Sequence, residues 1–411
     1  MTVVVFEDDG WGRLSPLTLV RHTSLLVWGT KTILDALRSS LPKEDFLLWG
    51  REEMQSVSKE KTKLDYNSPC RGETLFVNAR VKPDAVLRQL LSRKDRFVVR
   101  SKGSVVAART SADGLAPGVL SASTWRKAKS GRGLEGQSGQ LFEGYWEIVE
   151  TNGLGIAEQA GGVAATRPQG GFASKGPQGN IRISGSAEVE EHTFLDARLG
   201  PIVLDEGASV ESFSRLSGPC YVGRDARVRS ALVRSGTSIF DSCRVGGEVE
   251  NSILMQFSNK AHGGFVGDSI VGEWVNLGAG SNFSNLKNTY GSVRVTEGKD
   301  RVETNQVKLG PVIGDLAKVS IGSLVYAGRC IGVGSHVSGL VKEDVPSFTF
   351  SDGSDSRGVE LRLESVLETQ RRMMERRGKS LGKAEEALIR RVYETTAAQR
   401  RKARVRKGEI G

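Results

Sequence analysis

The sequence predicts an α/β layer domain, then a parallel β-helix built from hexapeptide repeats, then a helical tail. Three observations carry this reading. Short β-rich runs alternate with helical stretches over about the first 110 residues, aliphatic residues recur every six positions from Ile183 onward, and apolar residues at helical spacing return after Arg357. A chain of 411 residues accommodates two or three such units. The apolar fraction of 38% reaches the ordinary globular range once the 50 glycines are counted with it, so a sizeable core can form.

In the first unit the runs TVVVF, KTILDALRSSL, FLLWG, TLFVNARV, KPDAVLRQLLSR and RFVVRS follow one another, the order of an α/β layer with parallel strands. We place this domain at residues 1–165. Segments such as AGGVAATRPQGGFASKGPQGN bury too little apolar surface to order a backbone, so a linker or mobile loop is expected up to about residue 180.

Residues 181–345 hold the strongest regularity. Ile183, Val189 and Leu195 begin it, and Leu204, Val210, Leu216, Val222 and Val228 continue it. The period resumes one residue out of step at Val233, Ile239 and Val245, again at Phe265, Val271 and Leu277, and last at Ile313, Val319, Val325, Ile331 and Val337. Six is neither the helical nor the strand period. It marks a parallel β-helix in which each hexapeptide gives one flat side and a turn, with the aliphatic residues stacked inward about 4.8 Å apart. A β-sandwich would instead alternate at period two. Residues 346–411 form the helical tail, whose Leu361, Leu363, Val366, Leu367, Met373 and Met374 are expected to cover the last coils.

The formal charge of +10 is concentrated in that tail (QRRMMERRGKSLGK, then AAQRRKARVRKG), and nucleic-acid signatures are missing, so a solvated helical tail is expected in place of nucleic-acid binding. No window approaches the roughly 18 apolar residues of a membrane span, and MTVVVFEDDG turns acidic where a signal peptide would stay apolar. A soluble, cytoplasmic protein is expected. Cys70, Cys220, Cys243 and Cys330 show no short spacing and read as reduced thiols.

The hexad region, above all NKAHGGFVGDSIVGEWVNLGAGSNFSNLKNTYG from Asn259 to Gly291, resembles the left-handed β-helix acyltransferases. Within them it is most similar to the bifunctional enzymes that acetylate glucosamine 1-phosphate and uridylate the product to UDP-N-acetylglucosamine. The likeness continues through LGPVIGDLAKVSIGSLVYAGRCIGVGSHV into VPSFTF. The N-terminal VVVFEDDGWGRLSPLTLVRHTSLLVWGTKTIL is similar to a divergent branch of sugar nucleotidyltransferases with a short α/β domain. The resemblance implies acetyl-CoA as co-substrate, an amino-sugar phosphate as acceptor, UTP and Mg2+ if the N-terminal domain turns over, and a homotrimer.

Acetyl transfer to an amine needs a base for the ammonium proton and donors for the oxyanion. Of the four histidines, His192 and His336 lie inside regular hexads and His22 has no clear role, whereas His262 stands at a break in the register before Gly263 and Gly264. The resemblance places the catalytic base on His262. It places substrate contacts on Asn276, Asn285 and Lys287, and the coenzyme arm along Gly278, Ala279 and Gly280. The family's Arg and Lys that grip the sugar phosphate are missing, so Lys260, Arg234 or Arg244 are candidates to replace them.

The glycine-rich phosphate loop of ordinary nucleotidyltransferases is also absent. Asp8, Asp9, Gly10, Arg13, Pro16, Leu17, Thr18 and Arg21 stand in its place. Asp8, Asp9, Arg13 and Arg21 are the candidate nucleotide contacts, Asp9 the candidate metal ligand, and Asn78 and Arg80 candidates for the same cleft. An acidic turn after an edge strand, with Arg21 paired to a carboxylate, is the alternative there. Rival functions are a nucleotidyltransferase with the β-helix as trimerising scaffold, and a non-catalytic regulatory protein. A γ-type carbonic anhydrase would need three zinc-binding histidines, and the main repeats hold only His262 and His336.

Overall fold

The computed structural model describes residues 1–127, 132–135, 140–163, 171–298, 300–354 and 357–408. The chain divides into two compact units, residues 1–144 with 382–391, and residues 145–381 with 392–411. Residues 164–170 of the expected linker lie outside the described residues.

The first unit is built on β1 (Thr2–Phe6), β2 (Asp45–Trp49), β3 (Asp65–Tyr66), β4 (Glu73–Asn78), β5 (Phe97–Ser101), β6 (Ser104–Ser111) and β7 (Arg132–Glu135). Their order in the sheet is β3-β2-β1-β4-β6-β5-β7. The strands β3, β2, β1 and β4 run parallel, and β6 is antiparallel to both of its neighbours. Val3, Val4, Val5 and Phe6 are all buried, because a central parallel strand is covered on both faces and reads as an unbroken apolar run. The helices α1 (Ile33–Ser40), α2 (Gln55–Thr62) and α3 (Ala85–Leu91) connect the strands. Thr32 caps α1 by accepting from the Asp35 amide at 3.0 Å, with Arg38 in the last turn where the helix dipole favours a cation.

In the second unit, helix α4 (Tyr145–Gln159) precedes a left-handed parallel β-helix. Its first face is an eight-stranded parallel sheet, from Ile181–Ile183 to Cys330–Ile331. A second sheet wraps the other two faces. Register pairs stack one residue per coil inward: Leu204, Val222, Ile239, Leu254, Val271, Ile313 and Ile331 on the first face. On the third face the stack is Leu195, Leu216, Val233, Val249, Val266, Phe283, Val325 and Val341.

The hexad reading needs one correction. Val266 is buried and points inward, whereas Phe265 is half-buried on the outside. The corner from Val266 to Val271 is one residue short of a hexad, so counting back from Val271 in sixes lands one position early. The corner after the first face is more regular. It places Gly207, Asp225, Ser242, Phe257, Trp274, Leu316 and Gly334 in the left-handed region, at φ between 54° and 66°. Each lies three residues beyond the inward residue of its coil. For bulky side chains that conformation costs about 1 kcal/mol or more, and stacking partly offsets it: the Phe257 and Trp274 rings lie parallel at 4.2 Å.

A hairpin of Arg294–Glu297 and Asp300–Glu303 leaves the coils after Asn285, and the bridge between Leu286 and Lys308 closes its base. Helix α5 (Leu363–Glu375) buries Val366, Leu367, Gln370 and Met374, the i, i+1, i+4, i+8 face of an amphipathic helix. A Cβ on Gly334 would come within 3.2 Å of Val366, which puts this face on the corner of the late coils. No helix among the described residues is long and apolar enough to cross a membrane.

Candidate functional site

At the break in the second face, the inward position after Val245 is taken by a lysine. Val245 pairs with Lys260, whose side chain is fully buried within the stack. A buried ammonium must find acceptors, and this one turns back to the His262 carbonyl at 2.6 Å and the Gly263 carbonyl at 2.7 Å. Burial pushes the Lys260 amine down to about 8. The turn that presents His262 is therefore clamped from below.

His262 itself is exposed, and among the described residues its ring has no hydrogen-bond partner. A Cβ on Gly263 would meet nothing within 4 Å, which leaves open space beside the imidazole. Gly264 is required for another reason: its φ is +124°, and a Cβ there would stand 2.2 Å from the Ser281 carbonyl oxygen of the next coil. The ring, the open flank and a bare backbone give the geometry that a general base beside an incoming ligand needs.

The structure separates the other candidates. Asn276 is exposed on the outer surface of the second face, one coil beyond Asn259. Gly278 is packed under the next coil, where a Cβ would come 2.5 Å from the Ile321 amide nitrogen. Its lack of a side chain thus serves the stacking. Ala279 and Gly280 lie at the corner that follows the His262 turn, tied to it by the Gly280 amide donating to the Gly263 carbonyl at 2.9 Å.

Two expected contacts are engaged elsewhere. Asn285 donates to Asp268 at 2.6 Å, and Asp268 also accepts from Asn251 at 2.7 Å, a polar ladder across three coils. Lys287 bonds the Ser292 carbonyl. Lys260, expected to grip the sugar phosphate, instead spends its buried ammonium on the His262 and Gly263 carbonyls. Arg234 pairs with Glu248 at 2.5 Å. His192 stacks on Phe213 and buried His22 bonds the Ser24 hydroxyl at 2.8 Å. Burial and the Lys318 charge hold His336 down to about 4.

In the first unit, β1 and β4 lie side by side and end at Asp8 and at Asn78 to Arg80, the switch point of the sheet, where such folds bind ligands. The Asp8 carboxylate is occupied there. It accepts from Arg80 at 2.8 and 2.7 Å, from Asn78 at 3.0 Å and from the Gly10 amide at 3.1 Å. Arg80 and its hydrogen bonds hold this carboxyl below its ordinary value against the burial that would raise it. Asp9 is exposed, Arg13 pairs with Glu143, and Arg21 is buried.

With both Asp8 oxygens taken, exposed Asp9 is left as the candidate metal ligand, and among the described residues no group of three His, Cys, Asp or Glu side chains could hold a metal. One ion pair escaped sequence reading altogether. Glu7, fully buried, accepts from Arg51 at 2.9 and 2.8 Å and from the Thr23 amide at 2.9 Å. Nothing in the sequence links Glu7 to a residue 44 positions away.

Residues 3–167 match the family described as sugar nucleotidyl transferase. Similarity extends to a bifunctional sugar-1-phosphate nucleotidylyltransferase/acetyltransferase of Sulfurisphaera tokodaii, 29% identical over 151 residues, covering 36% of this chain and 38% of the relative. Over part of its length the chain is thus similar to bifunctional nucleotidyltransferase/acetyltransferases. Among these, the bifunctional protein GlmU of Methanocaldococcus jannaschii is 34% identical over 124 residues, covering 29% of this chain and 30% of the relative. GlmU of Paracidovorax citrulli is 31% identical over 160 residues, covering 39% and 28%. The chain thus spans roughly a third of the length of these curated relatives. The nucleotidyl transferase match runs past Gly144 into α4, although α4 groups with the β-helix by contact.

Proposed function

We propose that the protein transfers the acetyl group of acetyl-CoA to an amino-sugar 1-phosphate, with glucosamine 1-phosphate as the first acceptor to test. His262 accepts the proton of the attacking amine as nitrogen bonds the thioester carbonyl carbon, and the coenzyme leaves as the thiol. Asn276 orients the acceptor, and the corner at Ala279 and Gly280 passes the thioester arm. A homotrimer brings a second copy against this face. The observation that carries the reading is an exposed, unengaged imidazole on a turn clamped by a buried lysine.

The test mixes purified protein with acetyl-CoA and glucosamine 1-phosphate and follows free thiol, with His262→Ala in parallel. Loss of a general base lowers turnover by about 10²–10⁴-fold. Equal rates in the two proteins would overturn the assignment.

A second reading concerns the N-terminal domain. Nucleotidyl transfer, with UTP and Mg2+ as the resemblance implies, requires a carboxylate free to meet the metal. Asp8 is held by Arg80, Asn78 and Gly10. With Asp8 so engaged, exposed Asp9 is the candidate metal ligand left beside it, and we favour a domain that does not turn over. Release of pyrophosphate from UTP and N-acetylglucosamine 1-phosphate would refute it.

A further inference from the structure

Most surface arginines of the β-helix stand beside an acid. Asp196 takes Arg198 at 2.6 Å and Arg215 at 3.0 Å, Glu206 takes Arg224 at 3.5 Å, Glu211 takes Arg229 at 3.4 Å and Glu248 takes Arg234 at 2.5 Å. One group departs from this pattern. Arg227 and Arg244 occupy the same outward position on successive coils of the second face, paired directly in the ladder. The next residue in that column is Asn259, and Arg377, just beyond the C-terminus of α5, donates to its Oδ1 at 2.5 Å and to the Ser242 carbonyl at 3.2 Å. Arg376 precedes it in the chain.

Among the described residues, the guanidiniums of Arg227, Arg244, Arg376 and Arg377 have no carboxylate partner. Strand spacing sets the backbones of Arg227 and Arg244 about 4.8 Å apart, where like charges oppose each other. Burial and then the charges of Arg227, Arg229 and Arg376 push Arg244 below its ordinary value, and burial with Arg244 and Arg227 does the same to Arg377. The negative end of α5 relieves part of this, but its effect is that of half a charge within one turn. Folding that gathers four cations without a carboxylate leaves a concentration of donors suited to phosphate oxygens, which guanidinium forks bind in pairs.

We propose that Arg227, Arg244, Arg376 and Arg377 form a binding site for a multiply charged phosphate anion, of the pyrophosphate or polyphosphate-ester class. The site lies on the outer second face ahead of the His262 turn, and it stands whether or not the acetyl-transfer reading does.

The test titrates the full chain with inorganic pyrophosphate at constant ionic strength, by calorimetry and by thermal melting, using wild type, Arg244→Gln, Arg376→Gln and His262→Ala. Wild type and His262→Ala bind and gain several degrees in Tm at about 100 times the Kd. Each arginine variant weakens binding by about tenfold or more. Without ligand, Arg244→Gln melts no lower than wild type, because it removes a repelling charge, and this shows that the variant is folded. Four results would each overturn the proposal: no binding by wild type, full affinity retained in Arg244→Gln, an equal Tm gain from chloride alone, or capture of an RNA oligonucleotide where pyrophosphate fails to bind.

Discussion

Replacing Lys260 by methionine tests whether the buried lysine positions the His262 turn or binds substrate. Methionine keeps the length of the stem, so the core volume between Val245 and Leu277 changes little, and such a swap costs under about 1.5 kcal/mol. Two opposing terms remain. The His262 carbonyl loses its donor, worth about 1–3 kcal/mol, while the Gly263 carbonyl keeps the Gly280 amide at 2.9 Å. Against this, the variant no longer desolvates an ammonium, a penalty of several kcal/mol in full burial. The terms nearly cancel, so Tm moves by only a few degrees.

The turn, however, loses its clamp. A misplacement of about 1 Å costs up to 100-fold in rate, so kcat for acetyl transfer falls about 10–100-fold with KM for the sugar phosphate nearly unchanged. A raised KM with intact kcat would instead return Lys260 to phosphate binding and refute the argument. The pH dependence supplies a readout free of activity. The Lys260 amine is depressed from 10.5 to about 8 in the folded protein, so the unfolded chain binds more protons between these values. Stability therefore rises with pH across that window, and Lys260→Met removes that share of the rise. Parallel stability profiles for the two proteins would count equally against the buried ammonium.

Glu7→Gln strands the Arg51 guanidinium in the first unit and is expected to cost about 3–5 kcal/mol in urea unfolding. Because folding lowers the Glu7 carboxyl to about 2, the wild-type advantage is complete above pH 4.5 and fades as pH falls toward 2. A loss under about 1 kcal/mol at neutral pH would show that the pair is dispensable. His336, depressed to about 4 by burial and Lys318, folds neutral while the unfolded chain takes up a proton below about 6.5. Stability thus falls between pH 6.5 and 4, by at most about 3 kcal/mol, and His336→Gln flattens that limb. An unchanged acid limb in the variant would assign the loss to other groups.

Much of the second unit is legible because a coil of β-helix buries one residue per face, and a buried strand position must be apolar wherever the coil length is constant. Leu204 to Val228 and Ile313 to Val337 follow that rule, and the sequence shows them. The same logic marks His262, since a polar residue and two glycines interrupt an otherwise strict period. It fails where coils shorten. From Ile239 to Leu254 a coil takes fifteen residues instead of eighteen, and the inward roles of Val249, Lys260 and Val266 then depend on which corner lost residues.

The sequence by itself determined the order of the units, the β-helix and the turn that carries the imidazole, since all three are written in local periodicity and its interruption. Only the tertiary structure decided that Lys260 points into the core, that Arg80 closes on Asp8 from 72 positions away, and that Arg227 and Arg244 meet Arg377 from a distant helix. These outcomes depend on register and on long-range pairing. A charged side chain takes its role from the neighbours that folding brings to it, and residues distant in the chain leave no periodic trace of that encounter.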